Sequence, residues 1–144
     1  MKKIIIYVDG GARGNPGPSA IGVLFCNEKG VCFKRFGEYL GVMTNNEAEY
    51  NAAIFALEKF KSIFGKKLAK ETEIEIRSDS ELLVNQMNGK YKISEKNLQP
   101  LFLKLWNLKL DFKKVKFKFI PRKKNKEADQ LVNHVLDSLK NNFP

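Results

Sequence analysis

Four carboxylates stand where a protein of strands and helices could bring them to one place. Asp9 and Asp79 each follow a run typical of a β-strand, and Glu49 and Asp129 each lie early in a predicted helix. In open α/β sheets, sites form at strand ends where the connections diverge. Carboxylates that meet there repel one another unless a cation lies between them, and hard divalent cations prefer oxygen ligands. The pattern indicates a metal-dependent nuclease, because two such ions roughly 4 Å apart can activate water and stabilise the leaving oxygen of a phosphodiester.

Each of these acids also has an ordinary structural explanation. Asp9 can be a solvated residue of a glycine-rich turn, and Asp79 can cap the helix that follows it. Glu49 can be an exposed residue of an amphipathic helix, and Asp129 can compensate the positive end of a helix dipole. Only the repetition of the pattern, a strand end and then an early helix position, favours a shared site.

The loop that follows Asp9 is rich in glycine and proline. Its glycines are spaced G-x-x-G-x-x-G from Gly11 to Gly17, so it lacks the G-x-G-x-x-G spacing of dinucleotide-binding loops. No Gly-Lys-Ser or Gly-Lys-Thr follows, which excludes a P-loop as well. The sequence therefore argues against a nucleotide-binding enzyme and for a turn whose backbone approaches another group closely.

Hydrophobic periodicity predicts the elements that would position the acids. Strands are predicted at 4–8, 20–26, 31–40, 72–79 and 114–120, and helices from 45 to about 60 or 64, at 81–87, at 97–110 and from 126 onwards. Thr44 and Glu47 form a capping box at the start of the first helix, and Asn125 is the expected cap of the last one. Strands and helices in this order indicate an α/β fold.

The chain is strongly basic, with a formal net charge of +10 and a pI near 9.6. Eight basic residues and no acidic one lie between Lys113 and Lys126. Such a run suits the phosphate backbone of a nucleic acid, although a solvated lysine surface is the ordinary alternative. From this run and from the basic-aromatic turn at 89–92, the predicted substrate contacts are Lys116, Lys118, Lys123, Lys124, Tyr91 and Lys92.

Length and composition are those of one globular domain. With 144 residues and 43% hydrophobic content, the chain is expected to form a single domain, residues 1–144, with a substantial core. No stretch reaches the roughly 18 apolar residues of a membrane span, and no signal peptide opens the chain, which predicts a cytoplasmic protein. Cys26 and Cys32 lie in apolar segments on either side of a turn, and we expect them to be reduced.

Four segments in order resemble the signature blocks of type 1 ribonuclease H. They are DGGARGNPGP at 9–18, TNNEAE at 44–49, SDS at 78–80 and NKEAD at 125–129. The resemblance runs from residue 3 to about 138, and four blocks in order make it highly specific. It implies a ribonuclease H-like α/β fold, with a five-stranded mixed sheet of order 3-2-1-4-5 flanked by helices. It also implies endonucleolytic cleavage of the RNA strand of an RNA–DNA hybrid with two Mg²⁺ or Mn²⁺ ions per site, leaving 5′-phosphate and 3′-hydroxyl ends.

The resemblance also implies roles for individual residues. The catalytic acids that hold the metal ions would be Asp9, Glu49, Asp79 and Asp129, and Glu49 would also contact a 2′-hydroxyl next to the scissile phosphate. The positions implied to meet the minor groove and phosphates of the hybrid are Asn15, Asn45 and Asn46. Amides can donate to and accept from a 2′-hydroxyl, which distinguishes RNA from DNA. The expected partner is an RNA–DNA hybrid, with no membrane and no obligate protein partner, and the expected state is a monomer.

Two departures from the family pattern bear on substrate binding and catalysis. The segment 87–97 is too short for the basic helical insertion that many members use as a substrate handle. Phe119 stands where members often have a histidine, and His134, the only histidine, lies five residues beyond Asp129, which is about 140° around a helix. Arg122 resembles the arginine of some histidine-lacking members and is predicted to be catalytic. A catalytically weak module that binds hybrid or duplex RNA on the same fold is the alternative function.

Overall fold

The centre of the fold is a five-stranded mixed sheet. A computed structural model describes residues 2–142, and its strands are β1 (Lys3–Ala12), β2 (Gly17–Cys26), β3 (Cys32–Met43), β4 (Glu73–Ser78) and β5 (Lys114–Phe119). Their order is β3-β2-β1-β4-β5, which confirms the predicted topology. The first three strands pair antiparallel, whereas β4 lies parallel to both β1 and β5. The strand that carries Asp9 is therefore the middle strand of the sheet.

The described part of the chain also contains five α-helices. They are α1 (Asn45–Phe64), α2 (Lys66–Glu71), α3 (Glu81–Met87), α4 (Gln99–Lys109) and α5 (Lys126–Asn142), with a short 3₁₀ turn at Arg122–Lys124. The predicted capping box is present, because the Thr44 hydroxyl accepts from the Glu47 N–H and the Glu47 carboxylate accepts from the Thr44 N–H. The sequence does not predict α2, because this short lysine-rich helix buries only Ala69 and shows no apolar periodicity.

The helices cover both faces of the sheet. A Cβ on Gly10 would collide with the backbone of Ala48 in α1, whereas a Cβ on Gly11 would meet Val132 in α5. Adjacent residues of a strand point to opposite faces, so α1 and α5 lie on opposite sides of β1. The larger core is on the α1 side, and the residues of this helix buried in it include Ala52, Ala53, Ala56 and Phe60.

Cys26 and Cys32 are joined by a disulfide, so the prediction of reduced thiols is wrong. The β2–β3 hairpin explains their proximity, since the two residues are direct partners in the strand register. The predicted cytoplasmic location stays a prediction. Among residues 2–142, no helix combines the length and the apolar composition that crossing a membrane requires.

Candidate active site

Asp9 and Asp79 lie where β1 and β4 separate. The parallel pairing of these strands ends at Tyr7 and Arg77, while β1 continues beside β2 as far as Ala12. Asp9 is therefore inside β1 and not beyond its end as predicted, because the side toward β2 remains paired. Asp79 directly follows the last residue of β4. The two carboxylates meet in the crevice that opens between the strands.

Two glycines allow the helices that carry the other acids to approach this crevice. Gly10 lies against the start of α1, where a Cβ would be 2.3 Å from the backbone of Ala48. Gly22 lies against the start of α5, where a Cβ would be 2.2 Å from the carbonyl oxygen of Ala128. Neither position leaves room for a side chain. Each of these alanines immediately precedes a predicted catalytic acid, so the close approach brings both acids to the site.

All four predicted acids line one cavity of about 450 Å³. Carboxylate oxygens of Asp9, Glu49 and Asp79 lie within 4.8 Å of one another, a spacing at which they could share a metal ion. Glu49 also accepts a hydrogen bond from the backbone N–H of Gly10. Asp129 lies outside this compact group but lines the same cavity. The arrangement is therefore a cluster of three carboxylates with a fourth beside it.

Burial and mutual repulsion make two of these acids weak. Burial raises the pKa of Asp9 to about 8, and the charges of Asp79 and Asp129 add to the effect. Burial also raises the pKa of Glu49 well above its usual value, with a further contribution from the charge of Asp9. A divalent cation would favour the ionised carboxylates. The donor set, made only of carboxylate oxygens, fits a hard ion such as Mg²⁺ or Mn²⁺.

The raised pKa of Asp9 predicts that the metal-free protein loses stability as the pH rises. Between 3.8 and about 8, Asp9 holds a proton in the folded state but not in the unfolded state, so the stability linked to that proton is lost as the pH rises through this window. In EDTA, urea denaturation should show a free energy of unfolding that falls more steeply with pH in the wild type than in Asp9→Asn. The difference should reach about 1 kcal/mol or more, because one pKa unit corresponds to about 1.4 kcal/mol. Equal pH dependence in the two proteins would contradict the assigned pKa.

The amides implied to contact substrate are partly used within the protein. The side-chain oxygen of Asn15 accepts from the backbone N–H of Asn45 at 3.0 Å, and that of Asn45 accepts from the backbone N–H of Ala12 at 2.8 Å. These bonds tie the glycine-rich loop to the start of α1 and leave the NH₂ groups of both amides without an acceptor among residues 2–142. Both amides are therefore fixed as donors. Asn45 and Asn46 line the cavity of the acids, whereas Asn15 lies outside its lining.

Arg122 lines the cavity of the acids from the 3₁₀ turn that precedes α5. Its side chain is exposed, and no acidic side chain of the described residues pairs with it. Phe119, at the end of β5, is 49% exposed. His134 is exposed on α5 and is not among the residues that line the cavity. Arg122 is thus the basic side chain that the 3₁₀ turn contributes to the site.

The other predicted contacts lie outside the lining of this cavity: Lys116, Lys118, Lys123, Lys124, Tyr91 and Lys92. Lys116 and Lys118 are exposed on β5, and Lys118 is the register partner of Arg77. The two lysines of the 3₁₀ turn line a different cleft, together with Tyr7. The Tyr91 hydroxyl donates to Glu81 at 2.9 Å, which holds the basic-aromatic turn against α3. These side chains are placed for contacts away from the clustered acids.

Sequence reasoning missed three residues around the acids. Arg13 and Asn133 line the cavity, and the signal for Asn133 was its spacing of four residues from the last acid on a helix. Asn125 was predicted to cap α5 with its side chain. Instead its NH₂ group donates to the Val8 carbonyl at 2.8 Å and to Asp79 at 3.4 Å, so it ties the start of α5 to β1 and to the acid after β4.

Comparison with known proteins identifies the family. Residues 7–135 match the family model described as Reverse transcriptase-like. The Halobacterium salinarum protein named Ribonuclease HI is 35% identical over 135 residues, which cover 94% of this chain and 65% of that protein. The Mycobacterium tuberculosis protein named Bifunctional protein Rv2228c is 34% identical over 137 residues, which cover 94% of this chain. This chain spans only 36% of the length of that mycobacterial relative.

A solved structure agrees with this chain in both fold and sequence. LC11-RNase H1, which was isolated from compost and solved in complex with an RNA/DNA hybrid, has a TM-score of 0.89 and 48% identity. The match covers 94% of this chain and 98% of LC11-RNase H1. This chain therefore belongs to the ribonuclease H1 family, within the wider group of reverse transcriptase-like domains.

Proposed function

We propose that this chain is a metal-dependent endoribonuclease that cleaves the RNA strand of RNA–DNA hybrids and leaves 5′-phosphate and 3′-hydroxyl ends. The proposal rests on the meeting of Asp9, Glu49, Asp79 and Asp129 at one cavity. It is supported by the relative LC11-RNase H1, which was solved with an RNA/DNA hybrid. The net charge of +10 adds long-range attraction for a polyanionic substrate.

The four acids would hold the metal ions of this proposal. Two Mg²⁺ or Mn²⁺ ions, when bound, would supply activation of water and stabilisation of charge on the leaving oxygen. The protein's own part is to keep the carboxylates together in a crevice despite their repulsion. Burial in that crevice, with the added repulsion of Asp79 and Asp129, raises the pKa of Asp9.

The amides at the edge of the site would select the RNA strand. Because Asn15 and Asn45 have their oxygens bound within the protein, they offer NH₂ donors to the 2′-oxygens of RNA or to base acceptors in the minor groove. Glu49 would accept from the 2′-hydroxyl next to the scissile phosphate. A DNA strand in the same place would lack both the 2′-acceptor and the 2′-donor.

A catalytically weak module that binds hybrid or duplex RNA is the alternative. In such a module the four acids would be unfavourable, because carboxylates that face phosphates repel them. Buried acids also cost stability unless a cation or hydrogen bonds compensate them. The retention of all four acids at one cavity therefore favours the enzyme.

Cleavage assays distinguish these two functions. End-labelled RNA–DNA hybrid, RNA duplex and DNA duplex are incubated with Mg²⁺ or Mn²⁺, with and without a chelator. The enzyme should cut the RNA strand of the hybrid only when metal is present, and the products should carry 5′-phosphate and 3′-hydroxyl ends. Tight binding of hybrid without cleavage in either metal would favour the binding module.

The lysines near the site are expected to set the salt dependence of hybrid binding. Each phosphate contact that is lost lowers the slope of log affinity against log salt by roughly one unit. Replacing both Lys123 and Lys124 by alanine should lower that slope and raise KM, with kcat nearly unchanged, because both lie outside the cavity of the acids. The double replacement of Lys116 and Lys118 tests the β5 surface in the same way.

Lys66 and Lys67 provide a control with the same loss of charge. Both are exposed on α2, beyond the far end of α1, whose 20 residues extend about 30 Å from the cavity. Replacing them by alanine should leave the salt slope unchanged. If the Lys123 and Lys124 variant behaves like this control, the two lysines are solvated and make no phosphate contact.

A further inference from the structure

A chain of polar contacts links the fourth acid to the glycine-rich loop. Asn133, one turn after Asp129 on α5, donates from its NH₂ group to the Asp129 carboxylate at 3.3 Å. Nη2 of Arg13 donates to the Asn133 side-chain oxygen at 3.4 Å and pairs with Asp137 at 2.7 Å. Arg13 belongs to the loop after β1, so the chain of contacts joins two elements that enclose the cavity.

We propose that Asn133 and Arg13 are positioning residues for Asp129, and through it for the metal centre. This inference rests on the proposed function, because it assumes that Asp129 helps to hold a metal ion. Asn133 acts directly on the carboxylate by occupying one of its oxygens. Arg13 acts one step further away. It donates to the side-chain oxygen of Asn133, and this bond keeps the NH₂ group of Asn133 directed toward Asp129.

Asp129 is the acid for which such support matters most. Glu49 is held by a backbone N–H, and Asp79 receives the amide of Asn125. Asp129 is half-buried on α5 and lies outside the group of carboxylate oxygens within 4.8 Å of one another. Hydrogen-bond partners of metal-binding carboxylates orient them, and loss of such partners lowers metal affinity. Without Asn133, the Asp129 side chain would lose the amide that fixes its direction.

The guanidinium of Arg13 favours this role over direct binding of a substrate phosphate. Its Nη1 has less than 1 Å² of accessible area and no hydrogen-bond partner among residues 2–142. A phosphate cannot reach that nitrogen unless the side chain moves. An unpaired buried donor is unfavourable for stability, and it offsets the small contribution of the exposed ion pair with Asp137. The contacts that this side chain does make are the hydrogen bond from Nη2 to Asn133 and the ion pair with Asp137.

Binding of Mn²⁺ without substrate, measured by electron paramagnetic resonance of the free ion, tests the inference. Asn133→Ala and Arg13→Ala should each weaken Mn²⁺ binding about tenfold or more. The double variant should bind no more weakly than Asn133→Ala alone, because both residues act through one carboxylate. His134→Ala, the neighbouring exposed position on α5, is the matched control and should bind Mn²⁺ like the wild type. The Tm of Arg13→Ala should stay close to that of the wild type, since the variant removes an unpaired buried donor together with an exposed ion pair.

Several results would overturn the inference, and they differ in whether the proposed function fails with it. If the wild type binds no Mn²⁺, the metal-dependent function falls and this inference falls with it. If the wild type binds Mn²⁺ and both variants bind it equally well, the proposed function stands and the positioning role is wrong. If Arg13→Ala raises KM for hybrid with unchanged Mn²⁺ affinity, Arg13 is a phosphate contact instead. If Mn²⁺ affinity and Tm fall together in both variants, the contacts are merely structural.

Discussion

Asp9→Asn and Asp79→Asn are expected to cleave a hybrid orders of magnitude more slowly than the wild type and to bind it about as well. Each change removes one anionic ligand from the group of carboxylate oxygens within 4.8 Å, so the site loses much of its attraction for a divalent cation. The same change removes a negative charge that repels the phosphates of the substrate. Single-turnover cleavage in Mg²⁺ measures the first effect, and fluorescence anisotropy with labelled hybrid in EDTA measures the second.

Glu58→Gln is the matched control for these variants. Glu58 is an exposed acid of α1 that pairs with Lys104 at 3.6 Å, and it lies outside the cavity lining. Its replacement removes the same charge in a similarly conservative way, so cleavage and binding should both stay at wild-type levels. Retained cleavage by purified Asp9→Asn or Asp79→Asn would show that these acids do not form the catalytic centre.

The acids could be predicted because local patterns determine their elements. Asp79 follows an alternating strand, and Glu49 follows a capping box by two residues, so each position can be read from nearby sequence. The approach of the helices could not be predicted in the same way. Gly10 and Gly22 are visible in the sequence, but only the tertiary packing reveals that the backbones of α1 and α5 occupy the space of their missing side chains.

Features that depend on contacts between distant residues were missed or wrong. The disulfide required Cys26 and Cys32 to be register partners, which the spacing across a turn allows but does not require. The Asn125 side chain was expected to cap its own helix, yet it bonds to the carbonyl of Val8, 117 residues away in the chain. The same limit applies to Arg13, whose contacts on α5 depend on how the glycine-rich loop folds back.

The orientation of side chains within the site was also beyond the sequence. An asparagine amide can donate or accept, and only the bond from Ala12 to Asn45 determines that this amide has its NH₂ group left as a donor. The separation of Asp129 from the three clustered acids likewise depends on where α5 lies and on the contact with Asn133. Many residues of the site could be predicted from the sequence, but the direction in which each polar group points could not.

Arg122→Ala is expected to lower kcat about tenfold or more with little change in KM, because the guanidinium would stabilise charge at the reacting phosphate or on the departing product. Arg122 lines the cavity of the acids and pairs with no acidic side chain of the described residues, so its donors are available to substrate. Arginine stays protonated over the working pH range. It can therefore supply a lasting positive charge, whereas a histidine in this loop could carry a proton.

Steady-state kinetics and a pH–rate profile distinguish Arg122 from two alternatives. His134→Ala should change neither kcat nor KM, because His134 is exposed on α5 and does not line the cavity. The wild-type profile should show no limb from a side chain that titrates near 6.5, the ordinary pKa of histidine. If Arg122→Ala raises KM alone, Arg122 is one more phosphate contact of the kind proposed for Lys123. If His134→Ala abolishes turnover in a folded protein, the histidine and not Arg122 serves the reaction.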